Sequence, residues 1–275
     1  MNKIDFAVVL NVDGANPNGD PLMGNRPRQD LDGYGEMTDV SIKRKIRNRL
    51  QAMEQNILMQ TNDRSDDGFQ SIKSRVDSFL DLKKAISKKD ASLSYQLACK
   101  KWIDVRLFGS VFAFKGVSSS IGIRGAVAIA HARSISPIFI EEQMITKSLN
   151  TDDTPDGRRD STTIAYKYAV NRSAYVFYGS VWPQLAEKNG VTDADIELLK
   201  EALISLFDGD ASSTRPGGSM NVGHVFWWEH NGKQGNYPSG KVFRSLKLEP
   251  KREYPYYSYS IEELPNISPD IIEVC

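Results

Sequence analysis

The chain has 275 residues and carries 35 Lys and Arg against 35 Asp and Glu, so its formal net charge is zero. This length is enough to bury a full hydrophobic core, in one large domain or two small ones. Balanced charge excludes a protein that holds nucleic acid through overall basicity, so any such affinity must come from local patches. The two cysteines, Cys99 and Cys275, exclude a disulfide framework and a Cys-rich zinc site.

Apolar residues are spread along the chain rather than concentrated in one segment. No window approaches the run of about 18 apolar residues that a membrane-spanning helix needs. The N-terminus enters an apolar stretch directly, without the basic and apolar regions of a secretion signal. We therefore expect a soluble, cytoplasmic protein, and no motif predicts a cofactor.

A long loop rich in Gly, Asn, Pro and Asp follows the first predicted strand, which covers residues 3–12. Gly and Asn tolerate positive φ and expose backbone N–H groups, so such a loop can follow an irregular anionic polymer. The helix that begins after the loop adds a dipole that favours anions. We predict that this loop grips phosphates through Asn16, Asn18, Gly19, Arg26 and Arg28.

The predicted helix over residues 39–58 begins at an N-cap, Thr38 or Asp39. Its buried stripe is formed by Ile42, Ile46, Leu50, Met53 and Ile57, at spacings of three or four. Lys43, Arg44 and Arg47 lie on one side of that stripe, and Lys45 and Arg49 lie on the other. No acid occurs between residues 41 and 49, so we expect no neutralisation within the helix. The pattern predicts phosphate contacts from Lys43, Arg44 and Arg47, with a plain solvated basic face as the alternative.

The rest of the chain alternates between helical and extended patterns. The predicted elements are a polar helical insertion over 69–101, an ambiguous segment over 104–115, a strand over 121–133, a projecting hairpin or mobile loop over 146–165, a strand over 173–182, a helix from the cap Thr192 to Phe207, and a strand over 219–229. The order strand, helix, strand, strand, helix, strand is that of the ferredoxin-like fold, which RNA-recognition modules share. The sequence therefore predicts an α+β, ferredoxin-like palm with insertions.

At two further places a cation lies beside flexible backbone or at the end of a predicted strand. Arg124 stands beside Gly125, and Arg133 and Ser134 follow an apolar run. Thr214 and Arg215 lie in a loop with two glycines. We predict RNA contacts at all five positions. For the arginines of the first place the alternative is an ion pair with a neighbouring acid, and for the second it is an ordinary loop.

No constellation in the sequence predicts catalysis or metal binding. Several aspartates of the early loop sit beside Gly or Pro, which is typical of turns and caps rather than of a metal site. The three histidines, His131, His224 and His230, match no nucleophile–base signature and no metal motif. We therefore expect no catalytic residue and no metal ligand.

Several motifs of the chain, taken together, resemble the CRISPR-associated backbone subunit of type I-C Cascade. The resemblance begins with the NPNGD loop, the NRPRQD run and the TDVSIKRKIRN helix. It continues in order with DVRLFG at 104–109, IRGAVAIAHARSISP at 123–137, STRPGG at 213–218 and HVFWW at 224–228. The resemblance covers most of the chain.

The resemblance implies a hand-like subunit that oligomerises head to tail along a CRISPR RNA. Its parts would be a palm (about 1–58, 104–139 and 171–232), helical fingers (59–103), a thumb hairpin (140–170) and a C-terminal extension (233–275). Partners implied are CRISPR RNA, target DNA paired to the guide, further copies of the chain, a guide-processing subunit, a large subunit, small subunits and a recruited helicase-nuclease. The subunit would be structural, since base pairing reads the sequence.

Two other functions stay open at this stage. One is a metal-dependent RNase of a CRISPR effector, for which Asp152, Asp153, Asp156 and Asp160 of the thumb would be the candidates. The other is a general single-stranded RNA-binding protein outside CRISPR defence. Magnesium-dependent cleavage of RNA would distinguish the RNase from a structural subunit. The identity of the RNA that copurifies would distinguish a general RNA-binding protein from a CRISPR subunit.

Overall fold

A computed structural model describes residues 1–65, 67–112, 121–146 and 164–275, which form a mixed α+β protein built on a large antiparallel sheet. The strands are β1 (Ile4–Ala15), β2 (Gly19–Asp20), β3 (Arg26–Pro27), β4 (Tyr34–Met37), β5 (Gly109–Phe112), β6 (Ile121–Arg124), β7 (Val127–Ile129), β8 (Ala132–Pro137), β9 (Ile140–Thr146), β10 (Ile164–Val181), β11 (Met220–Glu229), β12 (Leu246–Pro250), β13 (Tyr257–Ile261) and β14 (Pro269–Glu273). The helices are α1 (Asp39–Ala52), α2 (Ile72–Ser78), α3 (Leu80–Ser87), α4 (Ala91–Lys101), α5 (Ile103–Phe108), α6 (Pro183–Asn189), α7 (Asp193–Ile204) and α8 (Ser239–Ser245). None of the helices in these ranges is long and apolar enough to cross a membrane.

Strand β1 lies in the middle of the main sheet, whose order is β14-β11-β1-β10-β8-β4. It pairs antiparallel with β10, from Ile4 opposite Val181 to Ala15 opposite Val170. On its other edge it pairs antiparallel with β11, from Ile4 to Val12. Strands β7 and β9 also pair with β10. The first strand of the chain is therefore held on both edges by strands that come much later in the sequence.

Alternate residues of β1 face opposite sides of the sheet. Phe6, Val8 and Leu10 belong to a fully buried cluster that also contains Ile46 of α1 and Leu199 of α7. Helices α1 and α7 therefore cover one face of the sheet. The amphipathic pattern of each helix, which predicted a buried stripe, supplies the apolar side chains for this face.

Residues 233–275 cover the other face of the sheet. Val9 and Trp228 pack in a second cluster with Val242 of α8 and Tyr257 of β13. Strand β14 extends the sheet by pairing antiparallel with β11. The C-terminal segment thus contributes to the core, which the sequence pattern had not indicated.

Helix α1 is shorter than the sequence predicted. Thr38 is the N-cap, and its Oγ1 accepts a hydrogen bond from the Ser41 N–H at 3.2 Å. The helix ends at Ala52 rather than near residue 58, because the chain turns through Glu54, whose φ is 61°. Ile57, predicted as the last residue of the stripe, is buried nonetheless, from the segment that follows the turn.

The predicted strand over residues 121–133 is three short strands, so that expectation was wrong. Strand β6 pairs with β5 in a separate two-stranded sheet, whereas β7 and β8 pair with β10. The break falls at Gly125, where an added Cβ would lie 2.4 Å from the Leu107 carbonyl oxygen. The ambiguous segment that starts at residue 104 divides in a similar way, into the end of α5 and then β5, at Gly109 with a φ of 81°.

The helical insertion has an apolar cluster of its own. Val76 of α2, Leu82 of α3 and Trp102 after α4 are among its buried members. Arg75 of α2 is 6% exposed and fastens the preceding loop, because it donates to both carboxylate oxygens of Asp67 and to the Leu58 carbonyl. The hydrogen bond from Arg75 outweighs burial and lowers the pKa of Asp67 to about 2.

This ion pair gives a prediction for acid stability. A carboxylate whose folded pKa lies below its unfolded value stabilises the fold above about pH 4, and the stabilisation is lost as the pH falls towards about 2. Asp67→Asn should therefore lower the free energy of unfolding at pH 6 and make it less dependent on pH between about 4 and 3. Urea unfolding at these pH values measures the effect, with Asp81→Asn, an exposed acid of α3, as the control. An unchanged pH dependence in Asp67→Asn would contradict the assignment.

Candidate nucleic-acid interface

The loop predicted to bind phosphates folds into a short hairpin of β2 and β3. Gly19 faces Pro27 and Asp20 faces Arg26 across the pair. Asp20 accepts a hydrogen bond from the Leu22 N–H and caps a 3-10 turn over Pro21–Met23. Gly19 has to be glycine, because an added Cβ would lie 2.0 Å from the Asn25 side-chain oxygen.

The two predicted asparagines hold this loop in place from inside the protein. Asn16 is 2% exposed, and its Nδ2 donates to the Asn25 carbonyl at 2.7 Å. Asn18 Oδ1 accepts from the Thr38 N–H at 2.9 Å, which ties the loop to the start of α1. The Asn16 N–H donates to the Thr214 carbonyl at 2.8 Å and joins the second predicted loop. The structure therefore places both amide side chains where they position the loop.

Arg26 reaches from the loop to the two paired strands of the predicted thumb. Its guanidinium is 3.6 Å from Glu142 of β9 and lies 5.4 Å from the ring centroid of Tyr168 of β10. Its side chain is 41% exposed. Arg28 is less exposed and pairs with Asp20 at 3.3 Å. Of the two arginines, Arg26 presents the more accessible charge.

The cations of α1 are neutralised, contrary to the sequence expectation. Lys43 donates to Asp39 at 2.8 Å, an i,i+4 pair whose acid precedes the segment that we had searched. Arg47 is 11% exposed and donates to the buried Asp104 at 3.0 Å. Arg44 is 59% exposed, and its nearest acid is 3.9 Å away. Arg44 is thus the most available of the three cations predicted to contact phosphates.

A third exposed arginine lies on β8. Arg133 is 53% exposed, donates to Asp30 at 2.5 Å and stands 4.2 Å from the ring centroid of Tyr34. Burial raises the pKa of Asp30, but hydrogen bonds from the Tyr34 N–H and the charge of Arg133 leave that pKa below its usual value. Ser134 is buried, and its Oγ accepts from the Gly35 N–H at 2.8 Å. The Arg133 charge therefore faces solvent, while Ser134 holds β4 against β8.

Arg215 belongs to a cluster of charges that fastens its loop to α1. Asp210 accepts from Arg215 at 3.0 Å and also pairs with Lys45, which is 5% exposed. Burial lowers the pKa of Lys45 to about 8, although Asp210 opposes the shift. Thr214 contributes its carbonyl to Asn16, as described above. This loop lies next to the first one, and Arg215 is paired with Asp210.

Arg124 lies apart from the loop of Asn16 and Arg28. It is exposed at the end of β6, in the separate two-stranded sheet. Its carbonyl accepts from the Asn189 side chain at the end of α6, at 2.9 Å. Among the residues that the structure describes, the hydrogen bonds and ion pairs that connect the other predicted residues do not extend to Arg124.

Sequence reasoning missed several side chains of this surface. His131 is 60% exposed, and its Nε2 is 3.1 Å from Asp39, the same carboxylate that pairs with Lys43. Leu22, Met23 and Leu31 are apolar yet 94%, 65% and 107% exposed at the tips of two turns. The only signal in the sequence was their position between turn residues, which does not distinguish an exposed tip from a buried one.

Within the described ranges, no group of three or more His, Cys, Asp or Glu residues is placed to hold a metal ion. Asp152, Asp153, Asp156 and Asp160, the candidates of the RNase alternative, lie outside the described residues. A buried group of Ser180, Asp5 and His230 does exist, with the Ser180 Oγ donating to Asp5 at 2.6 Å and His230 Nε2 2.9 Å from the same carboxylate. Since all three are fully or almost fully buried, they link β1 and β10 to the end of β11 rather than face a substrate.

A family model described as CRISPR-associated protein Cas7 matches residues 2–265. The chain belongs to the Cas7 family. A curated relative, "CRISPR-associated protein Cas7" of Haloferax volcanii (strain ATCC 29605 / DS2), is 28% identical over 218 residues, which are 72% of this chain. The chain spans only 62% of the length of that relative.

The Cas7-family chain also matches chains of solved structures. One chain, from a structure described as a CRISPR RNA-guided surveillance complex, pre-nicking, has a TM-score of 0.53 and 15% sequence identity, and the match covers 86% of this chain and 79% of that one. Another, from a CRISPR RNA-guided surveillance complex, has a TM-score of 0.46 and 17% identity, with 86% and 71% covered. The first of these likenesses supports the mixed α+β architecture described above.

The charge cluster around Asp210 gives a stability prediction. Asp210→Ala leaves two cations, Lys45 and Arg215, without their acid, and breaking a buried pair in this way destabilises by about 3 kcal/mol. Asp208 offers a matched control two residues away, because it is 68% exposed and 3.7 Å from Arg49. Asp208→Ala should lower the free energy of unfolding by no more than about 0.5 kcal/mol. Urea unfolding at pH 7 compares the two variants, and equal effects would contradict the structural role of Asp210.

Proposed function

We propose that this Cas7-family chain is a CRISPR RNA-binding structural subunit whose copies assemble head to tail along the guide RNA and form the backbone of a type I-C Cascade. The observation that carries the proposal is the match of the family model across residues 2–265. The exposed arginines beside a rigid Gly/Asn loop support it. The subtype rests on the sequence motifs that resemble type I-C subunits, NPNGD, NRPRQD and DVRLFG among them.

The strand order supports a ferredoxin-like, RRM-like palm. Strands β1, β8, β10 and β11 with helices α1 and α7 follow the order of that fold, and the sheet order β11-β1-β10-β8 is the one that its connections produce. Residues 59–103 would then be the fingers, and 140–170 the thumb. The arms of the thumb pair from Ile140 opposite Val170 to Thr146 opposite Ile164.

Arg26, Arg44 and Arg133 are the residues that we expect to contact guide phosphates most directly. Each is between 41% and 59% exposed, and each acid that faces them is held in an exposed or half-exposed pair. Exposed ion pairs of this kind contribute little, so an RNA phosphate can replace the acid at small cost. Two of the guanidiniums also stand over tyrosine rings, which fixes their position before RNA binds. Phosphate contacts hold the guide without reading its sequence.

Assembly would follow from the same binding mode. Head-to-tail contacts need not close into a ring, so the guide RNA would set the number of copies. The remaining partners would be target DNA paired to the guide, a guide-processing subunit, a large subunit, small subunits and a recruited helicase-nuclease, in the cytoplasm. In this role the chain needs no catalytic residue of its own.

A salt-titration experiment tests the phosphate contacts. Each lost contact should reduce the magnitude of the slope of log K against log salt by about one. The triple variant Arg26→Ala, Arg44→Ala, Arg133→Ala should lower the magnitude of this slope by about three. A control variant, Lys247→Ala, Lys251→Ala, Arg252→Ala, removes the same charge from exposed positions of the C-terminal segment and should leave the slope unchanged. Equal slopes in the two variants would contradict the proposed interface.

The thumb gives a second test. Residues 147–163 lie outside the described part, and the paired residues next to them, 144–146 of β9 and 164–166 of β10, are exposed. Replacing residues 147–163 with a short Gly/Ser turn should shift the melting temperature by only a few degrees. Gel-shift titrations should show guide RNA bound slightly more weakly and complementary DNA bound much more weakly to the guide complex. A collapse of the melting temperature would show instead that the segment belongs to the core.

A further inference from the structure

A cleft of about 830 Å³ opens beside the outer strand of the main sheet, far along the chain from the arginines of the proposed RNA interface. It lies between the end of β11, the connection from β13 to β14, and β14 itself. Ile261, Leu264, Ile267 and Ile271 supply its apolar surface. Ile271 is 42% exposed, which is high for an isoleucine in a strand.

The charge of the cleft has one sign. Glu229, Glu262 and Glu263 are all exposed and belong to its lining. Each of the residues that line the cleft lies in the described ranges, and no Lys, Arg or His is among them. A ligand that fills the cleft therefore meets apolar side chains together with carboxylates. A ligand whose charge complements the cleft would be positively charged.

The free edge of β14 borders the same cleft. In the described part of the chain β14 pairs on one side only, with β11. The Val274 N–H donates to the Gly223 carbonyl at 2.9 Å. Hydrogen-bonded and non-hydrogen-bonded pairs alternate in an antiparallel ladder, so the peptide groups of Ile271 and Glu273 point away from β11. These donors and acceptors can pair with another strand.

We propose that this edge binds an extended peptide segment of a partner protein, with an apolar side chain opposite Ile271 and Lys or Arg two positions away on either side. Adding a strand to a sheet edge draws affinity from main-chain hydrogen bonds and specificity from alternate side chains. The residue opposite Ile271 and those two positions away share the face of the sheet on which the cleft lies. The apolar side chain meets Leu264 and Ile267, and the cations meet Glu262 and Glu263. Glu229 is opposite Ile4, so its side chain lies on the other face of the sheet. This site is independent of the proposed RNA contacts.

The test uses the full chain, freed of RNA by nuclease treatment, and three fluorescent peptides. The matching probe is Thr-Lys-Thr-Val-Thr-Lys-Thr. The second, Thr-Thr-Lys-Val-Lys-Thr-Thr, has the same composition but places its lysines on the opposite face, and the third replaces both lysines of the first with glutamate. Anisotropy titrations should show saturable binding of the first probe and binding about ten-fold weaker for the other two. Hydrogen exchange should slow at the amides of Ile271 and Glu273 when the first probe is bound.

Two charge-matched variants complete the experiment. Glu262→Gln, Glu263→Gln removes the acids on the cleft face and should weaken the first probe about ten-fold. Glu197→Gln, Glu201→Gln removes the same charge from α7 and should not change the affinity of the first probe. The proposal is overturned if the three probes bind equally, if both variants behave alike, or if no probe binds. Concentration-dependent protection of the Ile271 and Glu273 amides without peptide would assign the edge to a second copy of the chain and would also overturn it.

Discussion

The hydrogen bonds on both edges of β1 are the interaction on which the remaining structure depends. The strand is buried on both faces from Ile4 to Val12, so no water can replace a missing partner for its peptide groups. Strands β10 and β11 supply those partners, α1 and α7 cover one face, and residues after 232 cover the other. The Gly/Asn loop begins where this double burial ends. Its position is therefore fixed by the most constrained strand of the protein.

The equal numbers of acidic and basic residues in the chain correspond to ion pairs in the structure. The cations of α1 that the sequence left unpaired find acids elsewhere. Asp39 lies at the start of the same helix, Asp104 lies in α5, and Asp210 lies in the loop after α7. Buried pairs of this kind position helices and loops, since breaking them leaves an uncompensated charge. The ion pairs of the exposed arginines differ from these buried pairs, because the acids in them are partly hydrated and easily displaced. A surface with no net charge can thus still contain sites for phosphate.

Local chemistry in the sequence predicted some elements well. The Thr192 cap is present with a reciprocal hydrogen bond from Asp195, and the stripe of α1 is buried as its spacing indicated. The family resemblance predicted a CRISPR-associated subunit, which the match of the Cas7 family model over residues 2–265 confirms, whereas the type I-C assignment stays a prediction. The predictions failed where distant residues decide the outcome. The division of residues 121–133 depends on a close approach to Leu107, and the ion pairs of Lys45 and Arg47 depend on acids far away in sequence. The assignment of individual RNA contacts stays a prediction.

The pairing of β1 also has a consequence for the order in which the molecule can form. Ile4 is opposite Val181 on one edge and Glu229 on the other, and Val9 packs against a cluster that includes Tyr257. During synthesis the first strand leaves the ribosome long before any of these partners exist. A strand with nine consecutive buried positions, from Ile4 to Val12, would then be exposed and prone to pair with other chains. Topologies dominated by such long-range contacts fold slowly. The newly made protein therefore passes through a stage in which its most apolar strand is without partners, and chaperone binding in that interval would protect it from aggregation.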